Sequence, residues 1–507
     1  MARLVRATYS STCIATGGPD KPGHDEEAMA CRQPAASIRY EFEPISRLPI
    51  SLSRETALAF PRDRQSSQEE TMTPDFERAV MRKVAWRLIP FLSIGYMINA
   101  LDRFNVSMAA LTMNKDLGLT ASAYGFGAGA FFWTYILFQL PANMMLNRVG
   151  ARVWISAIMA MWGVFSAGTA LVTGETSFVA ARFLLGIAEA GFFPGVAYFL
   201  TCWFPARYRG QMMGIFFAFG AFAGVIGGPL GGALLQLDGA FGVRGWQWIF
   251  LVEGVPAVML ACYGLITLSN RPADAHWLTA GQRTWLQGQL DSEAAAKAGH
   301  GKGVLSSIAS PQLLILTVAY VAMAYGIYAM AFFLPLIVKS LGLSNTAIGY
   351  ILVLPNICGS IGMILCSRSS DRTGERIWHV VLPTVVAGFG AMAAGLLLGN
   401  IYLAISAFCV AFCGIAASLP VFWNLPTAYL GVGAAAGGIA FINSIGNISG
   451  YLAPQVTGAL RDATGGYTVP MLVAGAVMLA GAGLILASGI RKHMPRGVAL
   501  ESGTLMH

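Results

Sequence analysis

The chain has 507 residues, of which 55% are hydrophobic and only 11% are charged, and its formal net charge is +8. A soluble protein carries roughly 25% charged residues, so a single water-soluble core cannot hold this much apolar surface, and a lipid bilayer is the expected solvent. The positive charge does not indicate nucleic-acid binding, because basic loops on the cytoplasmic side of a membrane account for it. The composition therefore predicts an integral membrane protein.

The N-terminal segment differs from the rest of the chain in composition. Its first 71 residues are rich in Arg, Ser, Pro and Glu and contain no apolar run long enough for the core of a signal peptide. Residues 1–79 are therefore predicted to form a disordered tail ahead of the first apolar run. Met72 begins a short segment that leads directly into that run. We expect Met72 to be the biological start, with an over-extended reading frame before it.

Apolar runs of about 20 residues, the length that crosses a bilayer core, predict twelve transmembrane helices. Six precede a polar central loop at residues 269–310, six follow it, and a tail at 491–507 ends the chain. The predicted spans cover residues 88–110, 124–146, 153–173, 178–200, 211–235, 246–268, 311–339, 346–368, 377–398, 400–424, 432–460 and 467–490. This pattern predicts an all-α membrane protein with one six-helix bundle at 80–268 and a second at 311–490.

Basic residues are distributed unevenly between the two sides of the predicted bundle. If the N-terminus is inside, seventeen Lys and Arg residues from residue 79 onward fall on the inner side and four on the outer side. Cytoplasmic loops carry an excess of Lys and Arg. The bias therefore predicts a multi-pass protein of a bacterial inner membrane, with both termini and the central loop in the cytoplasm.

A short basic motif occurs at the same place in each half. The loop after the second span reads N-R-V-G-A-R, and the loop after the eighth reads D-R-T-G-E-R, so the halves are predicted to be repeats of one another. Such loops can pin the cytoplasmic ends of two helices in one state of a rocking cycle. The predicted gating residues are Asn147, Arg148, Gly150, Arg152, Asp371, Arg372, Gly374 and Arg376.

Together these features resemble the major facilitator superfamily over about residues 80–490. Further motifs resemble those of its anion:cation symporter family, whose members carry tartrate, sugar acids, phthalate and other organic anions with protons. These motifs are L-D-R-F-N at 101–105, Q-L-P-A-N at 139–143, R-F-L-L-G at 182–186, E-A-G-F-F-P-G at 189–195 and W-F-P at 203–205. The resemblance implies a central cavity, a small organic anion and H⁺ as partners, and a proton gradient rather than a cofactor as the energy source. Asn147 departs from the superfamily's loop motif, which usually has Asp, and leaves Asp371 as the stronger gating candidate.

Five ionisable side chains, Asp102, Arg103, Arg182, Glu189 and Glu253, lie well inside the predicted spans. A charge at membrane depth is costly and usually serves function. We predict that Arg103 binds a substrate carboxylate, since a guanidinium group can hold it in bidentate fashion. Asp102 and Glu189 are predicted to bind protons, and Arg182 to switch between carboxylate partners; the family resemblance supports these roles. Static salt bridges are the alternative, and Glu253 is expected to be structural.

Uncharged polar residues inside the spans are further candidates for substrate binding. They are Tyr135 and Gln139 on the second span, Asn443 and Asn447 on the eleventh, and Tyr325 and Tyr328 on the seventh. The members of the first two pairs are four residues apart and share a helix face. Each pair can either hydrogen-bond a substrate or join neighbouring helices.

The sequence is also compatible with other functions. A proton-antiporting exporter of the same fold is one alternative, because G-G-P-L-G-G at 227–232 is one residue short of the exporter pattern G-P-x-x-G-G. A transporter-derived membrane sensor is another. A membrane enzyme is not predicted, because no catalytic constellation lies at depth, no Walker A loop occurs, and none of the six histidines lies deep in a span. The cysteines are expected to pack rather than to bind metal, and the protein is expected to be monomeric.

Overall fold

The computed structural model describes residues 74–297 and 310–487, apart from the side chains of residues 147, 221, 294–297 and 428–436. All regular structure within these ranges is helical, and no strand occurs in them. The α-helices are α1 Pro74–Asp116, α2 Ala121–Val149, α3 Ala151–Gly168, α4 Glu175–Glu189, α5 Phe192–Trp203, α6 Ala206–Leu234, α7 Gly245–Thr267, α8 Ala280–Lys297, α9 Pro311–Lys339, α10 Asn345–Ile351, α11 Val353–Thr373, α12 Trp378–Leu396, α13 Ile401–Phe422, α14 Asn424–Gly446, α15 Ile448–Thr464 and α16 Thr468–Ala487. Residues 1–73 of the predicted N-terminal tail, the whole predicted C-terminal tail at 491–507 and residues 298–309 of the central loop lie outside the described ranges. Residues 74–79, predicted as part of the disordered tail, are helical and begin α1.

Ten helical stretches in the described part of the chain are long and apolar enough to cross a bilayer. They correspond to ten of the twelve predicted spans. The second predicted span is helical as α2, and the eleventh is covered by α14 and α15. Helix α2, which contains glycines and polar side chains such as Gln139 and Asn143, is not among the ten stretches. The predicted all-α membrane architecture is therefore confirmed.

Helices are interrupted at several points within the predicted spans. The breaks at Gly191, Leu352 and Trp423 each lie three residues before a proline, namely Pro194, Pro355 and Pro426. Proline has no N–H group to donate to the carbonyl four residues earlier, so the helix before it loses a hydrogen bond. The fourth and eighth predicted spans are each two helices for this reason. The first of these breaks comes just after Glu189, the last residue of α4.

The central segment, predicted as a polar loop, contains a helix of its own. The helix α8 contacts the first half through Glu293, whose carboxylate lies 3.2 Å from the Arg209 guanidinium and accepts the Ala206 N–H at 2.9 Å. The Trp277 ring stacks on the Trp203 ring with centroids 5.6 Å apart. These contacts attach the beginning of the central segment to the first half of the chain.

Glycines bring the backbones of the two halves together at one end of the bundle. We call the end with the α1–α2 connection the loop-1 end, and the end with the α2–α3 connection the loop-2 end. A Cβ atom added to Gly129 of α2 would lie 2.9 Å from the Tyr451 carbonyl oxygen of α15, and one added to Gly228 of α6 would lie 2.5 Å from the Gly349 carbonyl oxygen of α10. Only glycine permits such close helix packing.

Hydrogen bonds between the halves reinforce this contact. Tyr124 of α2 donates its hydroxyl to the Phe332 carbonyl oxygen at 2.9 Å, and Gln236 donates to the Thr346 hydroxyl at 2.7 Å. The cross-half hydrogen bonds identified within the described ranges all lie toward the loop-1 end. The structure therefore holds the halves together at that end.

Asp462 joins the halves through the start of α2. Its carboxylate accepts the Ser122 N–H at 2.7 Å and the Ala121 N–H at 3.3 Å, two donors that a helix start leaves without an intrahelical partner. A negative charge is also favourable at the positive end of the helix dipole. Burial acts to raise the pKa of Asp462, but hydrogen bonds from Ser122, Arg461 and Ala121 outweigh it, so the pKa lies below its ordinary value of 3.8.

The Asp462 contact predicts a pH-dependent contribution to stability. At pH 7 the substitution Asp462→Ala should lower the free energy of unfolding by about 1 kcal/mol, the usual value of a helix cap. Because the pKa is depressed in the folded protein, this contribution is present above the ordinary pKa and is lost as the pH falls through the folded pKa. Thermal unfolding of the detergent-purified protein at about pH 7 and about pH 3 measures it, with the exposed Asp75→Ala as control. An equal loss of stability in Asp462→Ala at both pH values would contradict the role of the ionised Asp462 carboxylate as a helix cap.

Candidate functional site

Four of the five predicted membrane charges meet in one cluster between α1 and α4. Asp102, Arg182 and Glu189 have 0%, 0% and 1% of their surface exposed. Arg182 and Glu189 are seven residues apart, which puts them on one face of α4 two turns apart. The charges of Asp102 and Glu189 both act on Arg182. Helix α1 supplies Asp102 and Arg103, so side chains from two helices build the cluster.

The central contact of the cluster is an ion pair between Arg103 and Glu189. The Nη2 atom of Arg103 lies 3.1 Å from Oε2 of Glu189, and the Asn99 amide donates to the same oxygen at 2.8 Å. The second oxygen, Oε1, is buried and has no hydrogen-bond partner among the described residues. The predicted substrate-binding arginine therefore holds a predicted proton-binding carboxylate.

Asp102 and Arg182 face each other less directly. Asp102 Oδ1 accepts hydrogen bonds from Asn105 at 2.9 Å and from Ser166, whereas Oδ2 has no partner within the described ranges. The three guanidinium nitrogens of Arg182 also lack a hydrogen-bond partner there, and its Cζ atom lies 5.1 Å from the centre of the Phe131 ring. The interaction between Asp102 and Arg182 is thus electrostatic, and no hydrogen bond between them is identified within the described ranges.

Aromatic side chains surround the Arg103 guanidinium. Its Cζ atom lies 4.9 Å from the centre of the Tyr135 ring and 5.3 Å from that of Phe131, which are distances typical of cation–π contacts. Tyr328 of α9 also interacts with Arg103 electrostatically. Two predicted binding residues, Tyr135 and Tyr328, are therefore beside Arg103, whose side chain keeps 19% of its surface exposed.

Two further tyrosines near this group were not identified from the sequence. Tyr96 and Tyr320 both interact with Tyr328, and the Tyr96 ring stacks on Phe216 with centroids 4.3 Å apart. Their spacing along the helix from Arg103 and Tyr328 could have identified them. Tyr96 precedes Arg103 by seven residues and Tyr320 precedes Tyr328 by eight, so each shares a helix face with a residue already chosen.

The other predicted binding residues lie in different surroundings. Tyr325 packs against Ala453 and Ala474 between α9, α15 and α16. The side-chain amide of Asn447 donates to the Asn443 carbonyl oxygen at 2.9 Å, which supports the backbone where α14 ends. Asn443 is half-buried. Gln139 is also half-buried, and no hydrogen bond of its side chain is identified within the described ranges.

The first predicted gating loop is tied to its own half. Arg152 donates through Nε to the Leu265 carbonyl oxygen at 2.7 Å, and its backbone N–H donates to Asn270 at 2.9 Å. Gly150 adopts a positive φ of 90°, which glycine tolerates better than any other residue. Arg148 is exposed, and the side chain of Asn147 is not among those that the structure describes. These contacts fasten the α2–α3 turn to the end of α7.

The second predicted gating loop is likewise organised within its own half. Arg376 donates to Asp371 at 2.6 Å and to the Ser370 hydroxyl at 3.0 Å. Gly374 ends α11 with a φ of 68° in the left-handed region, and Arg372 is exposed. Neither loop makes an identified hydrogen bond to the other half within the described ranges. The loop-2 end thus differs from the loop-1 end, where the halves are joined.

A cavity of about 280 Å³ lies between the halves. Its walls are mostly apolar and contain several glycines of α6. Polar side chains reach it from both halves, namely Asn105 and Glu253 from the first and Asn356 and Ser360 from the second. No group of three or more His, Cys, Asp or Glu side chains that could hold a metal ion occurs in the described part of the chain.

Glu253, expected from the sequence to be structural, lies on the wall of this cavity. It is the ninth residue of α7, about 12 Å from the start of the helix at 1.5 Å per residue, and 5% of its surface is exposed. Asn105 contacts it, and the charge of Asp102 acts on it. The fifth membrane charge is therefore adjacent to the cluster formed by the other four.

The comparison with known families decides the class of the protein. The sequence profile of the Major Facilitator Superfamily matches residues 92–454. The chain belongs to this superfamily. The match extends from α1 to α15 and so includes both halves of the molecule. The protein is a membrane transporter and not an enzyme.

Two bacterial relatives match most of this superfamily member. A protein of Agrobacterium vitis named "Putative tartrate transporter" is 41% identical over 432 residues, which are 85% of this chain and 95% of that protein. A "Quinolone resistance transporter" of Acinetobacter baumannii is 39% identical over 409 residues, 80% of this chain and 94% of that one. The first relative is consistent with the resemblance to permeases of the anion:cation symporter type.

Solved structures bear out the fold. A bacterial homologue of the human lysosomal transporter Spinster, solved in an inward-facing and unoccupied conformation, superposes with a TM-score of 0.69 at 18% identity. The alignment covers 81% of this chain and 98% of that chain. The predicted twelve-helix fold of the superfamily is confirmed.

The Arg103–Glu189 ion pair predicts a large effect of one substitution on stability. Replacing Glu189 by Leu leaves the guanidinium group without its buried partner, and breaking such a pair destabilises a protein by about 3–5 kcal/mol. We expect Glu189→Leu to lower the midpoint of thermal unfolding strongly in detergent. Glu175→Leu, at the exposed start of the same helix, is the matched control and should change little. Equal midpoints for the two variants would contradict the assigned role of the ion pair.

Proposed function

We propose that this protein is a proton-coupled symporter that imports a small organic carboxylate anion by alternating access. The observation that carries the proposal is the partly exposed Arg103, held by a buried carboxylate and surrounded by tyrosines. Such a guanidinium group binds a carboxylate in two parallel hydrogen bonds. The name of the Agrobacterium vitis relative supports an anion of the tartrate class.

The coupling follows from competition for Arg103. A substrate carboxylate that binds the guanidinium displaces Glu189, whose charge then lies in a dry site with only Asn99 as donor. An ionised carboxylate buried without a cation is unfavourable, and taking up a proton removes the charge. Glu189 therefore binds one proton when the anion binds. Release of the anion lets Glu189 return to Arg103 and give the proton up.

Asp102 and Arg182 control the second proton-binding step of this cycle. Arg182 has no hydrogen-bond partner within the described ranges and is under the influence of both Asp102 and Glu189. A change of its side-chain rotamer would bring the guanidinium toward Asp102 of α1 or toward Glu189 of its own helix. Arg182 thus stabilises the ionised form of one carboxylate at a time, while the other holds a proton.

Alternating access requires the halves to rock about the substrate site. The cross-half hydrogen bonds identified in the described residues lie toward the loop-1 end, including the cap that Asp462 places on α2, so opening toward that side has to break them. We propose from the excess of Lys and Arg that the loop-2 end faces the cytoplasm. Both termini would then be cytoplasmic, in the inner membrane of a bacterium, and the monomer would be the working unit.

The surroundings of Arg103 favour a hydroxylated or aromatic anion. Tyr96, Tyr135 and Tyr328 offer hydroxyl groups for substrate hydroxyls and ring faces for apolar parts of the substrate. Hydroxylated dicarboxylates and sugar acids use the hydroxyl groups, and aromatic carboxylates use the rings. The relative from Agrobacterium vitis favours the first group.

A proton-coupled exporter of drugs is the second candidate. The relative named for quinolone resistance and the mostly apolar wall of the cavity between the halves favour it. Quinolones carry a carboxylate, so Arg103 suits them too. The direction of coupled movement separates the two functions, because an importer accumulates the anion with the proton gradient and an exporter expels it.

The proposed function predicts uptake of carboxylates driven by an imposed pH gradient. The purified protein in liposomes that are alkaline inside should accumulate one or more members of a panel containing tartrate, galactonate and benzoate, and a proton ionophore should abolish the accumulation. Ciprofloxacin efflux from the same liposomes tests the exporter. Efflux of ciprofloxacin with no carboxylate uptake would overturn the importer.

Arg103 should determine affinity for the anion. We expect Arg103→Gln to weaken binding of the transported carboxylate at least about thirtyfold, because losing one member of a buried charge pair costs about 2 kcal/mol or more. Arg103→Lys keeps the charge but loses the bidentate geometry, so its affinity for the anion should lie between those of the wild-type protein and Arg103→Gln. Substrate-induced thermal stabilisation in detergent measures this, with Arg244→Gln at the exposed loop-1 end as control. Unchanged stabilisation of Arg103→Gln would exclude Arg103 from the substrate site.

A further inference from the structure

Glu253 is a buried carboxyl group that the cycle described above does not use. It lies on α7, with one carboxylate oxygen, Oε2, buried and without a hydrogen-bond partner in the described part of the chain. It also lines the cavity between the halves. Asn105 lies between the two carboxyl groups, because its amide donates to Asp102 at 2.9 Å and also contacts Glu253.

We propose that Glu253 is a third proton-binding carboxyl group of the transport cycle, which exchanges its proton with the cavity and shares its charge state with Asp102. The inference rests on the proposed function, since it concerns the protons that accompany the substrate. It also assigns a function to the cavity, which the substrate site at Arg103 does not explain. The cavity is the route by which protons reach the cluster from between the halves.

The balance of charges supports a third proton site. Three carboxyl groups, Asp102, Glu189 and Glu253, and two guanidinium groups, Arg103 and Arg182, are buried or nearly so in this region. If every carboxyl group is ionised, the region carries one excess negative charge at membrane depth, where an uncompensated charge is costly. One bound proton removes the excess. The empty transporter therefore holds a proton before any substrate binds.

The position of Glu253 makes it the group through which that proton exchanges. Asp102 is fully buried and its Oδ1 already accepts two hydrogen bonds, whereas Glu253 lines the cavity. A proton from water in the cavity binds the Glu253 carboxylate, and the neutral Glu253 then lets Asp102 keep its negative charge beside Arg182. When Glu253 loses its proton to the cavity, like-charge repulsion favours protonation of Asp102.

Few other charges act on Glu253. Helices α1, α3 and α6 pack against α7. The charged groups of α3 and α6 are Arg152, Arg207 and Arg209, all in the first turn of their helices at the loop-2 end. From α1 only Asp102 acts on Glu253 within the described ranges. Glu253 therefore has no nearby cation within the described ranges, whereas its neighbour Asp102 also interacts with Arg182.

Infrared difference spectroscopy tests the proposal without a substrate. The purified protein in lipid is taken between about pH 6 and about pH 9, above the range in which exposed carboxyl groups titrate, and the carboxyl C=O band is recorded. Glu253→Gln should lower the intensity of the titrating band by the contribution of about one carboxyl group. Glu253→Asp should keep that intensity but shift the frequency of the band. The exposed Glu175→Gln should leave the band unchanged. A Glu253→Gln band as large as that of the wild-type protein would overturn the proposal.

Transport in liposomes provides the second measurement. Using tartrate, or whichever anion of the panel the wild-type protein accumulates, we expect Glu253→Gln to lower pH-driven accumulation at least about tenfold more than it lowers exchange of labelled for unlabelled anion. Exchange needs no net movement of protons. Glu253→Asp keeps a carboxyl group and should retain both activities, which excludes misfolding as the cause. Equal losses of accumulation and exchange in Glu253→Gln, with Glu253→Asp intact, would mean a structural role and would overturn the proposal.

The two measurements separate this inference from the proposed function. If the wild-type protein moves no carboxylate, the proposed function fails, and the infrared band still shows whether Glu253 titrates. If the wild-type protein imports a carboxylate with protons and Glu253→Gln shows an unchanged band, the proposed function stands and the role of Glu253 falls.

Discussion

The ion pair between Arg103 and Glu189 is the interaction on which the rest of the site depends. A guanidinium group inside a membrane bundle needs an anion, and the protein supplies one from α4 at 3.1 Å. Because the same guanidinium is partly exposed and suits any carboxylate, a substrate can replace the resident anion. Under the proposed function, this replacement links the movement of an anion to the movement of a proton. The aromatic rings beside Arg103 make its surroundings less polar, and a less polar environment strengthens the interaction between the guanidinium group and its anion.

The fold brings this pair to the boundary between the halves. Pro194 cannot donate to the carbonyl of Ala190, and α4 ends at Glu189 just before that residue, so the carboxylate lies at a helix terminus. Glycines then allow α2 to pack on α15 and α6 on α10 at the loop-1 end. The loop-2 end has no identified cross-half hydrogen bond in the described ranges. An asymmetry between the two ends is what a rocking transporter requires in each of its states.

Much of this architecture follows from the sequence, and some of it does not. Long apolar runs predict spans because a bilayer leaves few alternatives, and charges inside them predict a site because their burial is so costly. The partners of those charges depend on how each helix is rotated, which a sequence does not specify. The position of Glu253 on the cavity wall was therefore not predicted, Tyr96 and Tyr320 were missed, and the cap formed by Asp462 depends on a contact 340 residues away along the chain.

Proton uptake on substrate binding tests the central claim most directly. Saturating anion is added to the detergent-purified protein in weak buffer, and a pH indicator reports the change. If the substrate displaces Glu189 from Arg103, the wild-type protein should take up about one proton per bound anion. Glu189→Gln should bind the anion and take up far less. Equal proton uptake by the two proteins, or binding by the wild-type protein with none, would contradict the claim that the anion and Glu189 compete for one arginine.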